Sequence, residues 1–477
     1  MDAQRAIARR MVIGIPPDGL NPAWERDFSQ YPPAGVILFA RDFRDLDDAR
    51  RLIARLRELA RPRRIFVALD EEGGWVSQLA GHLVVPPNAA TLARVADAGT
   101  IAWIAGVTAR RLRALGFDWD YAPVADVHSE PDNPVIGPRA WGTTPAQVAA
   151  NAGAWLEGFR GSGVAACLKH APGHGDTRTD SHLTLPVCAA DRATLEAREF
   201  EPFRAHPGAD SLMTAHVVYP ALDPERPATF SRRIVQDVLR ESLGFRGVVV
   251  TDALEMQGAA AGRTPAEAGL QALAAGCDLL LYAHWNEEVR RARYTLAQDL
   301  VAGRVDRALF DASRPRLEAF DAAHPEPPAE GLAATLESLT PADWEPRLTA
   351  LLEAALRVEG RAPGGAGGWR VVSEPEWKHG PTFAESLRAA GIPEGGASPA
   401  AEVVVVASRV PLAPERLAEL TVRTGSRPTV LVGLQNDRFL DEFPGAALRV
   451  SAADCTPLTR RVVAERLAAL RREPAPA

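Results

Sequence analysis

The sequence predicts an α/β protein: a (β/α)8 TIM-type barrel followed by a smaller α/β, sandwich-like domain. Three observations predict it. A short apolar run, a polar turn and an amphipathic helical stretch recur in that order through roughly the first 300 residues. The runs are near-continuous rather than alternating, as in Gly247-Val-Val-Val-Thr251, which implies burial on both faces of a parallel sheet. Several runs end in ionisable residues, where a barrel concentrates its active site.

The eight strand signals are Met11–Ile15, Gly35–Phe39, Ile65–Asp70, Phe117–Ala122, Val164–His170, Ser211–His216, Gly247–Asp252 and Cys277–Tyr282. Between them, Leu46–Ala60, Pro145–Phe159, Ala193–Phe203 and Thr264–Ala275 carry helical periodicity. Thr144 before Pro145 is a cap followed by a proline, the start a helix favours. A doubly wound open sheet is the competing arrangement; eight successive units at this length favour the barrel. Strand three ends in Asp70, strand five in Lys169-His170, strand six in His216 and strand seven in Asp252. Singly, each suits a cap or a solvated loop; jointly they describe one pocket.

After the eighth unit, His324–Gly331 reads as a stiff proline-rich linker. A helix is expected near Leu348–Val358, then a flexible stretch over Arg361–Gly368. Strands follow at Ala401–Ala407 and Pro428–Gly433, with helices at Ala413–Leu420 and Thr459–Leu470. The domain reading is a catalytic barrel over 1–322, a linker over 323–345 and a small α/β domain over 346–477. The small domain offers no convincing nucleophile, metal cluster or phosphate loop and reads as a structural companion.

Of 477 residues, 46% are hydrophobic and 24% charged, a globular composition. The formal net charge of -7 provides no basic field for nucleic acid or an anionic membrane. Cys167, Cys188, Cys277 and Cys455 lie far apart, so neither a disulfide framework nor a zinc knuckle is suggested. No apolar signal core follows Met1, and no run reaches the roughly 20 residues of a membrane span. A cytoplasmic location is expected; the oligomeric state is not legible.

The densest chemistry is Lys169-His170-Ala-Pro-Gly-His174-Gly-Asp176-Thr-Arg-Thr-Asp180-Ser-His182. Its histidines and aspartates invite a metal reading, but glycine and proline exclude helical pairing and the spacing fits no zinc motif. An acid/base loop fits better. Asp180 and His182 are two apart, so an extended segment would point them the same way. A carboxylate partner would fix the imidazole tautomer and favour its protonated form. Among 54 basic residues only Lys169 and Lys378 are lysines. A compact ammonium beside His170 suits hydrogen bonds to hydroxyls.

This segment resembles the K-H-x-P-G-x-G-x-x-x-x-D-S-H signature of family 3 glycoside hydrolases, in the β-N-acetylglucosaminidase branch. Asp70-Glu-Glu-Gly-Gly74, Tyr121-Ala-Pro-Val-Ala-Asp126-Val, Ile136-Gly-Pro-Arg139-Ala-Trp141-Gly, Met213-Thr-Ala-His216-Val and Val250-Thr-Asp252-Ala-Leu-Glu-Met256 resemble its other motifs, in order along the barrel. The C-terminal part only loosely resembles the second domain of larger members. The resemblance implies that Asp252 is a nucleophile forming a covalent glycosyl-enzyme, with retention of configuration. It implies His182 as acid/base, oriented by Asp180, and Asp70, Arg139, Lys169 and His170 as ligands of the −1 sugar. His174, His216 and Met213 are expected near the pocket, the two histidines either facing it or holding loops. Trp75, Gln78 and Ala171 depart from the branch pattern, and Gln78 takes the place of an arginine that commonly contacts substrate. The expected activity is removal of terminal β-linked N-acetylglucosamine from a muropeptide or chito-oligosaccharide, with no cofactor and no metal. Phosphorolysis is the alternative, because a histidine acid/base does not repel phosphate; a sugar-binding protein without turnover is the other.

Overall fold

The structure is a computed structural model describing residues 2–181, 183–327, 340–364, 367–377, 379–395, 399–408 and 412–472. It divides into two compact units, Met1–Glu71 with Ala98–Ile136 and Ala140–Pro341, and Glu72–Asp97 with Gly137–Arg139 and Ala342–Ala477.

The first unit is the barrel. Its strands are β1 (Met11–Ile13), β2 (Gly35–Ile37), β3 (Phe66–Leu69), β4 (Trp119–Asp120), β5 (Ala165–Ala171), β6 (Ser211–Thr214), β7 (Val248–Ala253) and β8 (Leu279–Tyr282). They close in sequence order, all parallel, with β1 pairing both β2 and β8. The eight expected strands are all present; six are shorter than their apolar runs because pairing stops before burial does, and β5 and β7 keep the expected length but start one residue later.

Val12, Ile37, Ala68, Trp119, Tyr121, Cys167, Met213, Val250 and Leu281 fill the interior. Such a barrel is a packed core rather than a pore, and only its rim is open to ligands. At the end opposite the rim, the Phe320 ring closes on Phe66 and Trp119 at 4.7 and 5.0 Å.

The helices begin where their caps predict. Thr144 accepts the Gln147 amide ahead of Pro145–Phe159, and Thr264 forms a reciprocal box with Glu267 ahead of Pro265–Ala275. The stretch expected as one helix over Ala193–Phe203 is instead interrupted by a π-turn, Leu195–Glu199. That wider turn carries Glu199, whose side chain is wholly buried.

The second unit contains a mixed sheet, β9 (Arg357–Gly360), β10 (Trp369–Ser373), β11 (Ala401–Ser408), β12 (Thr429–Gln435) and β13 (Leu448–Ser451), in the order β9-β13-β12-β11-β10. Val403 and Val405 pack on one face and Val404 and Val406 on the other, each against its own helices. The helix expected over Leu348–Val358 ends at Ala355, and Val358 lies in β9, antiparallel to β13. Arg-Val-Glu-Gly carries no apolar period, so this edge strand owes its existence to pairing. Part of the expected linker, residues 328–339, lies outside the described residues.

Residues 72–97, between β3 and β4, pack within this second unit. Asn88 donates its side-chain amide to the Ala453 carbonyl and its backbone amide to Asp454 Oδ1, while Arg94 pairs with Asp437 at 3.0 Å. Trp75, an arginine position in the resembled motif, lies against the apolar core of the sheet. Gly74 must be glycine: its φ is +57°, and a Cβ would stand 1.8 Å from Asn88 Oδ1.

Candidate active site

Strands β3 to β7 deliver polar side chains to one end of the barrel. Lys169, only 2% exposed, donates from Nζ to Asp70 Oδ1 at 2.7 Å. Asp252, near the end of β7, accepts the Ala253 amide at 2.7 Å. Its charge is felt by Tyr121, His174 and His216, so residues from β4 to β7 face a common space. Asp120, behind the Lys169–Asp70 pair, is fully buried; desolvation pushes its carboxyl well above the ordinary range.

Asp126 organises the loop after β5. It accepts the His170 amide at 3.1 Å, His170 Nδ1 at 2.8 Å and the His174 amide at 2.7 Å. Burial opposes its ionisation, but the His170 and His174 rings and these donors outweigh it, and its pKa falls below the ordinary value. Because a carboxylate only accepts, His170 carries its proton on Nδ1 and turns Nε2 the other way. Asp126 closes the Tyr121–Asp126 motif, yet sequence alone assigns it no role.

His174 is tied at both nitrogens. Thr177 donates its hydroxyl proton to the His174 carbonyl and Asn133 donates to Thr177 Oγ1, which leaves that oxygen to accept His174 Nδ1 at 2.9 Å. Nε2 then accepts from Ser181 Oγ at 3.1 Å. Desolvation pushes the His174 pKa down to about 4, so the ring is neutral at physiological pH. His216 is likewise tied, Nε2 donating to the Ala253 carbonyl at 3.0 Å and Nδ1 meeting Thr229 Oγ1 at 2.8 Å. Both histidines therefore hold loops: their nitrogens are engaged by protein.

Further straps fix the loop. Asn133 Nδ2 reaches the His174 and Gly175 carbonyls at 2.9 and 3.1 Å, and the Tyr219 hydroxyl donates to the Gly173 carbonyl at 2.6 Å. Gly175 sits so tightly that a Cβ would lie 1.6 Å from the Val127 carbonyl oxygen. The Ser181 carbonyl accepts the Gly258 amide at 2.9 Å, joining this loop to the segment that follows Asp252. Asn133, Tyr219 and Gly258 lie outside the quoted motifs, and no local signal marks them; Ser181 stands inside the Lys169–His182 signature.

The Leu183 and Thr184 amides both donate to the Asp180 carbonyl, at 3.0 and 2.9 Å, closing a turn. His182 lies outside the described residues. Met213 is buried in the barrel interior beside Tyr121. Arg139 and Gln78 belong to the second unit, where Arg139 forms a two-pronged pair with Glu72 at 2.8 Å and Gln78 is half-buried. Among the described residues, no three His, Cys, Asp or Glu side chains are grouped to hold a metal ion. None of the described helices is long and apolar enough to cross a membrane.

Comparison with known proteins agrees with this architecture. The chain is similar to a β-hexosaminidase of Methylococcus capsulatus, 41% identical over 266 residues, covering 54% of this chain and 78% of that protein. It is similar to one from Stenotrophomonas maltophilia, 39% identical over 287 residues, 57% and 83% covered. In structure it resembles a glycoside hydrolase family 3 β-N-acetylglucosaminidase from a Paenibacillus species, with a TM-score of 0.86, 26% identity, and 98% and 97% of the two chains covered. The model of the glycosyl hydrolase family 3 N-terminal domain matches residues 20–319. That match extends from before β2 into the helix Arg314–Ala323 at the foot of the barrel, and the chain belongs to glycosyl hydrolase family 3.

Proposed function

We propose that this chain is a retaining exo-β-N-acetylglucosaminidase. The observation that carries the reading is the convergence of Asp252, the Lys169–Asp70 pair and the Asp126–His170 pair at one end of the barrel, within the family the chain belongs to. The β-hexosaminidase relatives support the choice of an N-acetylamino sugar.

In this reading Asp252 attacks the anomeric carbon as the glycosidic bond breaks, and His182, oriented by Asp180, gives its proton to the departing oxygen. His182 then takes a proton from water, which displaces the Asp252 carboxylate and restores the original configuration. Lys169, His170 and Asp70 hold hydroxyls of the −1 ring, with Arg139 and Gln78 as further sugar contacts, and Met213 lies beneath. The chemistry rests with residues 1–322, and 346–477 is a structural companion. A β-linked N-acetylglucosaminide released from cell-wall or chitin fragments, cleaved in the cytoplasm, is the natural substrate class.

The test is release of a chromophore from an aryl β-N-acetylglucosaminide, with the product configuration followed by NMR. Activity should be lost in Asp252→Asn. Absence of turnover, an unchanged Asp252→Asn variant, or an inverted product rejects the reading.

A further inference from the structure

Two of the proposed sugar contacts, Arg139 and Gln78, belong to the second unit, and so does the turn that orients one of them. Residues 71–73 and 76–77 pair as a short hairpin whose tip is Gly74-Trp75. The tip is pinned by buried Asn88, whose Oδ1 accepts the Trp75 amide at 2.9 Å, while the Gly74 amide donates to the Pro86 carbonyl at 2.7 Å.

Asn88 is itself held from the residues that follow β13. Its Nδ2 donates to the Ala453 carbonyl and its amide to Asp454 Oδ1, both at 3.0 Å. Asp454 is wholly buried, and its second oxygen accepts the Thr456 amide at 3.0 Å, the Thr456 hydroxyl at 2.8 Å and the Thr459 hydroxyl, so the carboxylate has no slack. Ala453, which offers its carbonyl to Asn88, has a φ of +53°, a backbone conformation that a residue with a Cβ disfavours. Strain of this kind persists only where the surroundings over-determine it.

Two routes lead from Asn88 to Arg139. The hairpin carries Glu72, whose carboxylate takes Arg139 Nε and Nη2, each at 2.8 Å, and a two-pronged pair fixes the plane of the guanidinium. Directly after Asn88 runs the helix Ala89–Ala93, which packs on the turn Gly137–Arg139 and is tied by Thr91 Oγ1 to the Ala452 carbonyl at 3.2 Å. Arg139 is thus set through its side-chain partner and through its backbone by elements that share one anchor.

We propose that Asn88 and Asp454 are positioning residues for the −1 sugar, setting the aim of Arg139 from the far end of the chain. This rests on Arg139 being a ligand of that sugar in the proposed glycosidase. Neither residue touches the sugar; both act through the hairpin and the helix. A binding group must be held within about 0.5 Å of its productive place, and loss of the Asn88 side chain frees the hairpin tip that bears Glu72.

A double-mutant cycle of Asn88→Ala and Arg139→Ala tests this with steady-state kinetics on an aryl β-N-acetylglucosaminide. Asn88→Ala should lower kcat/KM about tenfold, chiefly through KM. With Arg139 already alanine, the same change should lower it by less than about twofold, because its effect passes through the missing guanidinium. Asp454→Asn keeps the side-chain size and an oxygen for the Asn88 amide, and serves where Asn88→Ala does not fold; its smaller loss should likewise vanish without Arg139. Melting curves check the fold. Equal losses in both backgrounds, as a merely structural role would give, overturn the proposal, and so does a wild-type KM in folded Asn88→Ala or, failing that protein, in Asp454→Asn. An Arg139→Ala protein with wild-type kcat/KM overturns the sugar role of Arg139 and the proposal with it. A wild-type protein without turnover overturns the glycosidase reading itself.

Discussion

The Ser181 carbonyl accepts a hydrogen bond from the Gly258 amide at 2.9 Å, and through it the loop bearing Asp180 is fastened to the segment following Asp252. The same serine is held from the other side by His174 Nε2 at 3.1 Å. One residue thus couples the two halves of the proposed machinery, and its register sets their separation.

Gly258 is the sensitive point of that coupling. A Cβ there would lie 3.0 Å from His216 Cβ and 3.1 Å from the Ser181 oxygen, so an alanine must push the loop outward. Gly258→Ala should lower kcat by about tenfold, because small displacements of positioned groups are costly to catalysis. Steady-state kinetics on an aryl glycoside checks this; an unchanged kcat would show that the contact does not set the geometry.

Asp126 collects donors from both His170 and His174. Asp126→Asn preserves size but turns an acceptor-only group into one that also donates. Unfolding in urea should show a loss of about 3 kcal/mol, with kcat/KM falling in parallel, since hydrogen bonds to a buried charged group are involved. A variant with native stability would contradict this accounting.

His174 links stability to acid. Its folded pKa is pushed down to about 4 from an ordinary 6.5, so the unfolded chain binds the proton more readily. Its contribution is present above the unfolded value and is lost as pH falls through 6.5 toward 4. Between pH 7 and 5 the wild type should lose about 2 kcal/mol more than His174→Gln. Chemical denaturation at both pH values decides; parallel losses would remove His174 as the cause.

Glu199 carries the opposite sign. Burial pushes its pKa up to about 7 against the pull of Arg198, so stability falls as pH rises from the ordinary 4.5 through 7. At pH 5 the wild type and Glu199→Gln should differ little, whereas at pH 8 the glutamine gains about 2 kcal/mol relative to wild type. Melting curves across this range test it. A constant difference would mean that Glu199 does not titrate there.

Trp75 and Gln78 show how far local comparison reaches. Both are departures from an arginine-bearing motif, and Gln78 reads as a change to a sugar contact. Trp75 instead packs on the core of the C-terminal sheet, a partner far beyond it in the chain. The same limit hides β9: Arg357–Gly360 has no apolar rhythm, and only its pairing with β13 makes it a strand. His174 and His216 stand in motifs that announce chemistry, yet both rings are spent on holding loops.

What the sequence determined by itself is the succession of eight buried strands and the ionisable residues at their ends. Burial on both faces writes continuous apolar runs, and a strand end is one residue wide, so both features are local and readable. Which nitrogen is occupied, which carboxyl burial pushes upward in pKa, and which residue straps one loop to another were decided only by the tertiary structure. Those properties belong to pairs such as Ser181 and Gly258, whose meeting depends on closure of the whole barrel.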